Sequence, residues 1–399
     1  MIRHPNRRRG RVAAVVLVLL TLAGCTLAPS TPTPPAPTPT ATPKETTVPT
    51  ASPAEIAAQE RLALMTRTQK VASLLMLHLP GTDATALRSF VATHEVGGLI
   101  FMGDNIGGSA EETAALAEAA SSDTRFPLLI GIDQEGGDVR RIRSDDGLSA
   151  LTLKDLPAAE TQQAFTVRSE LLVRSGMSVN FGIIADVTDN PRSFIYRRAL
   201  GTTPAAAGER VAAAVAGERG SVLSTIKHFP GHGAASGDSH TSVPSTDMSL
   251  EQWRAEDAVP FVQGIAAGAP VVMIGHLNYT AVDPVPASLS PVWHSILRDE
   301  LGFDGIIITD DMLMLRNTGL PEFQNPSENA IRALAAGSTM LLFVLGSSPA
   351  VDGVDPTALI ADIEAAVDTG RITEQQIDDA ALRLLTARFH LGIDRDPLR

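Results

Sequence analysis

Eight short apolar runs punctuate the chain, at residues 74–79, 97–102, 128–132, 179–184, 222–228, 271–276, 305–310 and 340–345, each of strand length. Alanine-rich segments with helical spacing lie between them, among them 110–120, 204–217, 250–267 and 327–336. Pro204 heads its segment, where a helix tolerates proline because the first turn needs no backbone donor. Two more helical segments, 356–368 and 373–391, follow the last run. Alternation of strand and helix predicts an α/β fold with a parallel sheet. Eight strands are what a closed (β/α)8 TIM-type barrel requires. An open doubly wound sheet competes, but the glycine fingerprint that would open its first helix is missing.

A barrel concentrates its chemistry where strands end at their carboxyl side, and ionisable residues fall there. The third run leads into Asp133-Gln134-Glu135-Gly136-Gly137, the fourth into Asp186, the fifth into Lys227 and His228, the sixth into His276, and the seventh into Asp310-Asp311. The densest cluster runs from Lys227 to His240 and holds Lys227, His228, His232, Asp238 and His240. Asp238 and His240 are close enough in sequence for the carboxylate to fix one imidazole tautomer and support the protonated ring, the outline of an acid/base dyad. The competing reading makes His228, His232, Asp238 and His240 zinc ligands. Lys227 opposes it, because a cation beside the metal suits a sugar hydroxyl or an anion better. Asp310 is delivered by the β-branched run Ile306-Ile307-Ile308-Thr309, a stiff support for a nucleophile. Asp311, its strand neighbour, points elsewhere. One carboxylate nucleophile and one proton donor on another loop are the minimum equipment for retaining glycoside hydrolysis.

The amino terminus bears on compartment. Arg3, Arg7, Arg8, Arg9 and Arg11 precede an apolar run from Val12 to Leu22 that ends in Leu22-Ala23-Gly24-Cys25, the order of a secretory signal peptide. The run is too short to span a bilayer comfortably. Cys25, the one cysteine, stands where bacterial lipoproteins carry the thiol that becomes lipidated. The expected organisation is a signal peptide over 1–24, a lipidated Cys25 with a Pro/Thr-rich tether over 25–52, and a catalytic domain over 53–399. Residues 26–52 hold too few large apolar side chains to offset their ordering entropy. Removing five arginines shifts the formal net charge of −13 to −13 − 5 = −18. So acidic a body excludes a nucleic-acid footprint and leaves the lipid anchor as the membrane contact. A 44% hydrophobic content supplies a core without disulfides.

Lys227-His228-Phe229-Pro230-Gly231-His232-Gly233 with Asp238-Ser239-His240 resembles the signature of glycoside hydrolase family 3, in its bacterial β-N-acetylglucosaminidase branch. Asp133-Gln134-Glu135-Gly136-Gly137, Pro286-Ala287-Ser288-Leu289-Ser290 and Gly302-Phe303-Asp304-Gly305 with Thr309-Asp310-Asp311-Met312 resemble further family segments in the same order. The resemblance implies Asp310 as nucleophile, His240 as general acid/base and Asp238 as its partner. It implies Asp133, Arg141, Lys227, His228 and Arg198 as sugar-binding residues, no metal and no cofactor. Four positions depart from the family: Ala199 and Leu200, since Arg198-Ala199-Leu200-Gly201 replaces Arg-Ser-Phe-Gly beside a second arginine, Arg197; Asp138, where arginine is common; and Thr339, which replaces an aspartate. The implied reaction is release of non-reducing terminal β-linked GlcNAc from peptidoglycan fragments or chitooligosaccharides by a monomeric, exported enzyme. Phosphorolysis, a β-glucosidase and a non-catalytic sugar-binding lipoprotein are the alternatives.

Overall fold

The computed structural model of the protein describes residues 51–346 and 348–394. Cys25, the leader and the tether lie outside the described residues. The first helix, Pro53–Leu64, starts where local chemistry dictates. Ser52 caps the Glu55 N–H while the Glu55 carboxylate returns to the Ser52 N–H, and Pro53 occupies the first turn.

Eight parallel strands follow: β1 Leu75–Leu77, β2 Gly98–Phe101, β3 Leu129–Ile132, β4 Val179–Ile184, β5 Leu223–Phe229, β6 Val271–Ile274, β7 Ile306–Thr309 and β8 Leu341–Phe343. Each pairs with its neighbours in chain order from β1 through β7, and β8 pairs with β1 with Leu75 opposite Leu341. A single bridge between Ile308 and Met340 joins β7 to β8, with the Thr309 N–H donating to the Met340 carbonyl at 3.1 Å. The ring is therefore the expected barrel. Its eight strands are the eight apolar runs, trimmed by one or two residues at most ends and, in β5, extended by one to Phe229.

Close packing inside the ring explains two glycines. A Cβ on Gly131 would lie 2.6 Å from the Phe181 ring, and one on Gly98 would lie 2.7 Å from Met76 Cε. Such contacts exceed what a filled core accommodates. Outside the ring, helices cover the strands, and the longest before the last strand, Ala158–Arg174, packs on Pro204–Glu218.

The helix expected over 250–267 is two helices, Leu250–Ala255 and Ala258–Ala266. Pro260 is the reason. In one continuous helix its ring would meet the Glu256 carbonyl and its missing N–H would break the ladder. Breaking at Glu256, with φ −120° and ψ −87°, places Pro260 in a first turn. This break turns Asp257 inward. Beside it lies an aromatic block in which Phe229 packs edge-on against Trp253, Phe261 and Trp293, with ring centroids 5.8, 5.3 and 5.8 Å away. The block backs the carboxyl end of β5.

Candidate active site

The candidate site residues Asp133, Arg141, Asp186, Arg198, Lys227, His228, Asp238, His240, His276 and Asp310 stand at or beyond the carboxyl ends of barrel strands, whereas Thr339 precedes β8. Asp133 leaves β3 and takes two cations, Arg141 Nη2 at 2.8 Å and Lys227 Nζ at 2.8 Å. Lys227, at the end of β5 and nearly inaccessible, also meets Glu135 Oε1 at 3.0 Å. Glu135 holds Arg198 in a two-pronged contact, Nε to Oε2 at 2.9 Å and Nη2 to Oε1 at 2.7 Å. Three cations and two carboxylates thus form one lattice at the floor. Burial works to raise Asp133 and Glu135, yet the neighbouring cations hold both below the ordinary carboxylate range. Burial works to lower Lys227, and its two carboxylates more than reverse it.

Arg197 and Arg198 divide between solvent and site. Arg198 turns inward to Glu135, whereas Arg197 turns out and pairs with Asp138 at 2.6 and 3.0 Å. Asp138 therefore supplies the outer arginine's partner.

Asp186 follows β4 and is fully buried. Its Oδ2 lies 2.8 Å from His228 Nδ1, and its Oδ1 accepts the backbone N–H groups of His228 at 3.2 Å and His232 at 2.6 Å. His228 Nδ1 is accordingly the protonated nitrogen, which leaves Nε2 for a ligand. Val187 abuts Gly233 so closely that a side chain there has no room.

Asp310 and Asp311 leave β7 in different directions, as strand alternation requires. The Asp310 N–H donates to the Ile274 carbonyl at 2.9 Å, and Asp310 Oδ1 accepts the Asp311 N–H at 2.8 Å. Burial works to raise Asp310, but His228, His276, Lys227 and that N–H together hold it below the ordinary value, so it is a carboxylate at neutral pH. Asp311 instead accepts N–H groups from Leu313 at 3.1 Å and Val344 at 3.0 Å and is pushed up to about 7, first by burial. His276 accepts at Nδ1 from Ser288 at 2.6 Å and donates from Nε2 to the Asp311 carbonyl at 2.9 Å. Burial, its largest influence, lowers it below the ordinary imidazole value.

Asp238 and His240 lie on the loop after β5. Asp238 Oδ1 sits 2.6 Å from His240 Nδ1 and accepts the His240 N–H at 3.0 Å. Phe194 meets the His240 ring edge-on, with centroids 5.8 Å apart, and carries the Arg198 guanidinium on its face at 5.2 Å. His240 is 60% exposed. Its Nδ1 proton goes to Asp238, and its Nε2 is left for proton transfer. The four residues that a zinc site would need are engaged separately: His228 by Asp186, His232 Nε2 by Ser239 at 3.2 Å, and His240 by Asp238. Among the described residues no group of three or more His, Cys, Asp or Glu is placed to hold a metal ion.

Sequence reasoning gave Glu135 no role, although it lies in a quoted motif at a strand end, the signal that could have marked it. Phe194 gave no signal. A cleft of about 390 Å³, lined by Arg61, Arg88 and Arg388, lies at the opposite, amino-terminal ends of β1–β3 and shares no residue with the rim cluster.

Residues 66–387 match the glycosyl hydrolase family 3 N-terminal domain. The chain is 32% identical to a β-hexosaminidase of Idiomarina loihiensis over 75% of this chain and 92% of that one. It is 30% identical to β-hexosaminidase LpqI of Mycobacterium tuberculosis over 82% and 84%. Against β-hexosaminidase A of Pseudoalteromonas piscicida, also 30% identical, it spans about half of the relative's length, 55%. A solved family 3 β-N-acetylglucosaminidase of Paenibacillus sp. superposes with a TM-score of 0.74 at 31% identity, covering 82% of this chain and 63% of that one. The rim lattice, the His228–Asp186 pair and the Asp238–His240 dyad are thus set in a barrel that belongs to glycosyl hydrolase family 3.

Proposed function

We propose that this chain is a retaining exo-β-N-acetylglucosaminidase that releases non-reducing terminal β-linked GlcNAc from peptidoglycan fragments, with chitooligosaccharides as a second substrate class. One observation carries the reading: an ionised carboxylate, Asp310, and a proton-transfer dyad, Asp238–His240, stand on separate strand-end loops of one rim. The naming of relatives 30–36% identical as β-hexosaminidases supports the sugar.

In this mechanism an Asp310 oxygen attacks the anomeric carbon. His240 Nε2–H gives its proton to the departing glycosidic oxygen, while Asp238 steadies the imidazolium. Breaking that C–O bond leaves the sugar esterified to Asp310. His240, now neutral, takes a proton from water as the water oxygen attacks the same carbon, and Asp310 leaves as the carboxylate. Two inversions retain configuration. Lys227, Arg141, Arg198, Asp133 and His228 hold the sugar hydroxyls: the cations and imidazole are already oriented by buried carboxylates, so little reorganisation accompanies binding.

The test is release of 4-nitrophenol from its β-N-acetylglucosaminide and β-glucoside, with Asp310→Asn and His240→Ala as controls. Activity on the first compound, abolished by Asp310→Asn and absent on the glucoside, supports the reading. A folded protein inert on both compounds refutes it. Run in phosphate buffer, the same assay scores phosphorolysis by the sugar 1-phosphate. We also propose export and lipid anchoring through Cys25. Fractionation tests this: Cys25→Ala is expected in the soluble fraction, and a membrane-bound variant defeats it.

A further inference from the structure

The loop that carries the acid/base dyad is held from behind by three oxygen atoms whose proton count does not close if Asp257 is ionised. Tyr279 Oη lies 2.6 Å from the Gly231 carbonyl oxygen and 2.7 Å from Asp257 Oδ2. Tyr279 is fully buried and Asp257 nearly so. A phenol has one proton and a carbonyl has none. If Tyr279 donated to an Asp257 carboxylate, its oxygen would face the Gly231 oxygen at 2.6 Å with no hydrogen between them, a bare repulsion. If it donates to Gly231, the contact with Asp257 needs a proton from the Asp257 carboxyl. The second arrangement satisfies both distances.

We propose that Asp257 is a protonated carboxylic acid that donates to Tyr279, and that Tyr279 in turn anchors Gly231 and thereby positions the loop bearing Asp238 and His240. Burial pushes Asp257 up to about 7, with the anions Asp186 and Glu256 acting in the same direction and the Tyr279 hydrogen bond opposing. Burial, the largest influence, keeps Tyr279 protonated. Steric fit reinforces the link. Gly231 has φ +131°, and a Cβ there would lie 3.0 Å from Asp257. The neighbouring Pro230 carbonyl accepts Trp253 Nε1–H at 2.8 Å. Nine residues after Gly231 the chain reaches His240. When Asp257 ionises, the single Tyr279 proton cannot serve both oxygens, and Gly231 loses its anchor.

Asp257→Asn and Tyr279→Phe separate the parts. An amide N–H at 257 still donates to Tyr279 at every pH, whereas phenylalanine leaves the Gly231 carbonyl without a donor. The first arm is infrared difference spectroscopy of the full chain between pH 6 and pH 9. Asp311 and Glu218 also lose protons in this window, so the expected result is a protonated-carboxyl component lost on raising the pH in the wild type and missing from the Asp257→Asn difference spectrum. A wild-type spectrum identical to that of Asp257→Asn overturns the proposal. This arm does not depend on activity, so it stands even if the glycosidase reading fails.

The kinetic arm rests on that reading. Asp257→Asn is expected to keep kcat within about twofold at pH 6 and to extend the alkaline limb of kcat. Tyr279→Phe is expected to lower kcat about tenfold with KM unchanged, and to hurt a disaccharide more than the 4-nitrophenyl glycoside, because only the poor leaving group depends fully on the proton. Equal losses on both substrates, or an Asp257→Asn variant as impaired as Tyr279→Phe, would mean that the pair supports the fold and does not position the dyad.

Discussion

Glu135 is the test of whether the rim lattice is a structural unit, and Glu135→Gln is the smallest perturbation that asks. Its carboxylate meets Arg198 at 2.7 and 2.9 Å and Lys227 at 3.0 Å, with the side chain 3% exposed. At an effective dielectric of 20, each ion pair is worth about 6 kcal/mol before desolvation is charged against it. Glutamine loses both attractions, recovers the desolvation penalty of the carboxylate and keeps one neutral hydrogen bond to Arg198. The net cost is about 3 kcal/mol, the lower end for breaking a buried pair. At roughly 2.1 cal/mol/K per residue, a domain of about 340 residues loses about 4 °C of Tm. Thermal unfolding by circular dichroism reads this directly. The double variant Glu135→Gln/Arg198→Met is expected to be more stable than the sum of its parts by about 1–2 kcal/mol, because the second change removes the stranded cation. On 4-nitrophenyl β-N-acetylglucosaminide, KM should rise as the two cations lose their template. A Tm change under about 1 °C, with strict additivity in the double variant, would refute the lattice.

Asp238→Asn keeps an acceptor for His240 Nδ1 but not the charge that steadies the imidazolium, so kcat is expected to fall about 10²-fold with KM little changed; an unchanged kcat would remove Asp238 from the dyad. Thr339→Asp gives Arg298, pushed down to about 10 chiefly by burial and bonded at Nη2 to Thr339 Oγ1 at 3.0 Å, the carboxylate it lacks. A gain of about 2 kcal/mol at pH 7 is expected by calorimetry. Because the paired aspartate is held below its unfolded value, the gain is present above about pH 4 and lost as the pH falls through the folded value. Glu218, buried and pushed up to about 8 chiefly by burial, works with the opposite sign. Its contribution is complete below the unfolded value, declines above it and is exhausted once the pH passes about 8, so Glu218→Gln should flatten the fall of Tm between about pH 5 and 8. An unaltered slope would contradict it.

How much of this was legible depended on which physical signal a residue carries. The barrel was readable because eight buried strands must be apolar, and the rim because ionisable residues ended those runs: Asp133, Asp186, Lys227, His228, His276 and Asp310 all appear where an apolar stretch stops. Partnership was not readable. Nothing in spacing tells that Glu135 serves Arg198, sixty-three residues away, or that Asp186 takes His228 and the His232 N–H together. The broken helix at Glu256 was missed although Pro260 was its signal, because alanine-rich composition outweighed one proline. That break matters beyond secondary structure, since it turns Asp257 inward against Tyr279. Asp257 in a continuous helix would have looked like one more surface acid.

The two arginines before Ala199 show how burial decides between chemically equal candidates. Arg197 and Arg198 offer the same guanidinium one residue apart, and each has a carboxylate waiting: Asp138 for the first, Glu135 for the second. The outer pair is about half exposed on both sides, so solvent screens it and it contributes little to stability. The inner pair is nearly inaccessible, and exchanging the two side chains would leave Glu135 and Lys227 in a desolvated site with a missing cation. The register is therefore set from the inside, by Glu135, and Asp138 follows it. An acidic residue at 138 costs little because Arg197 faces it. Reversing it with Asp138→Arg would place two cations together on the surface. That change is expected to lower Tm by no more than about 1–2 °C and to leave KM for the GlcNAc glycoside unaltered, because Arg198 stays where Glu135 holds it. A large rise in KM would mean that the outer pair, and not the buried lattice, aligns the inner arginine.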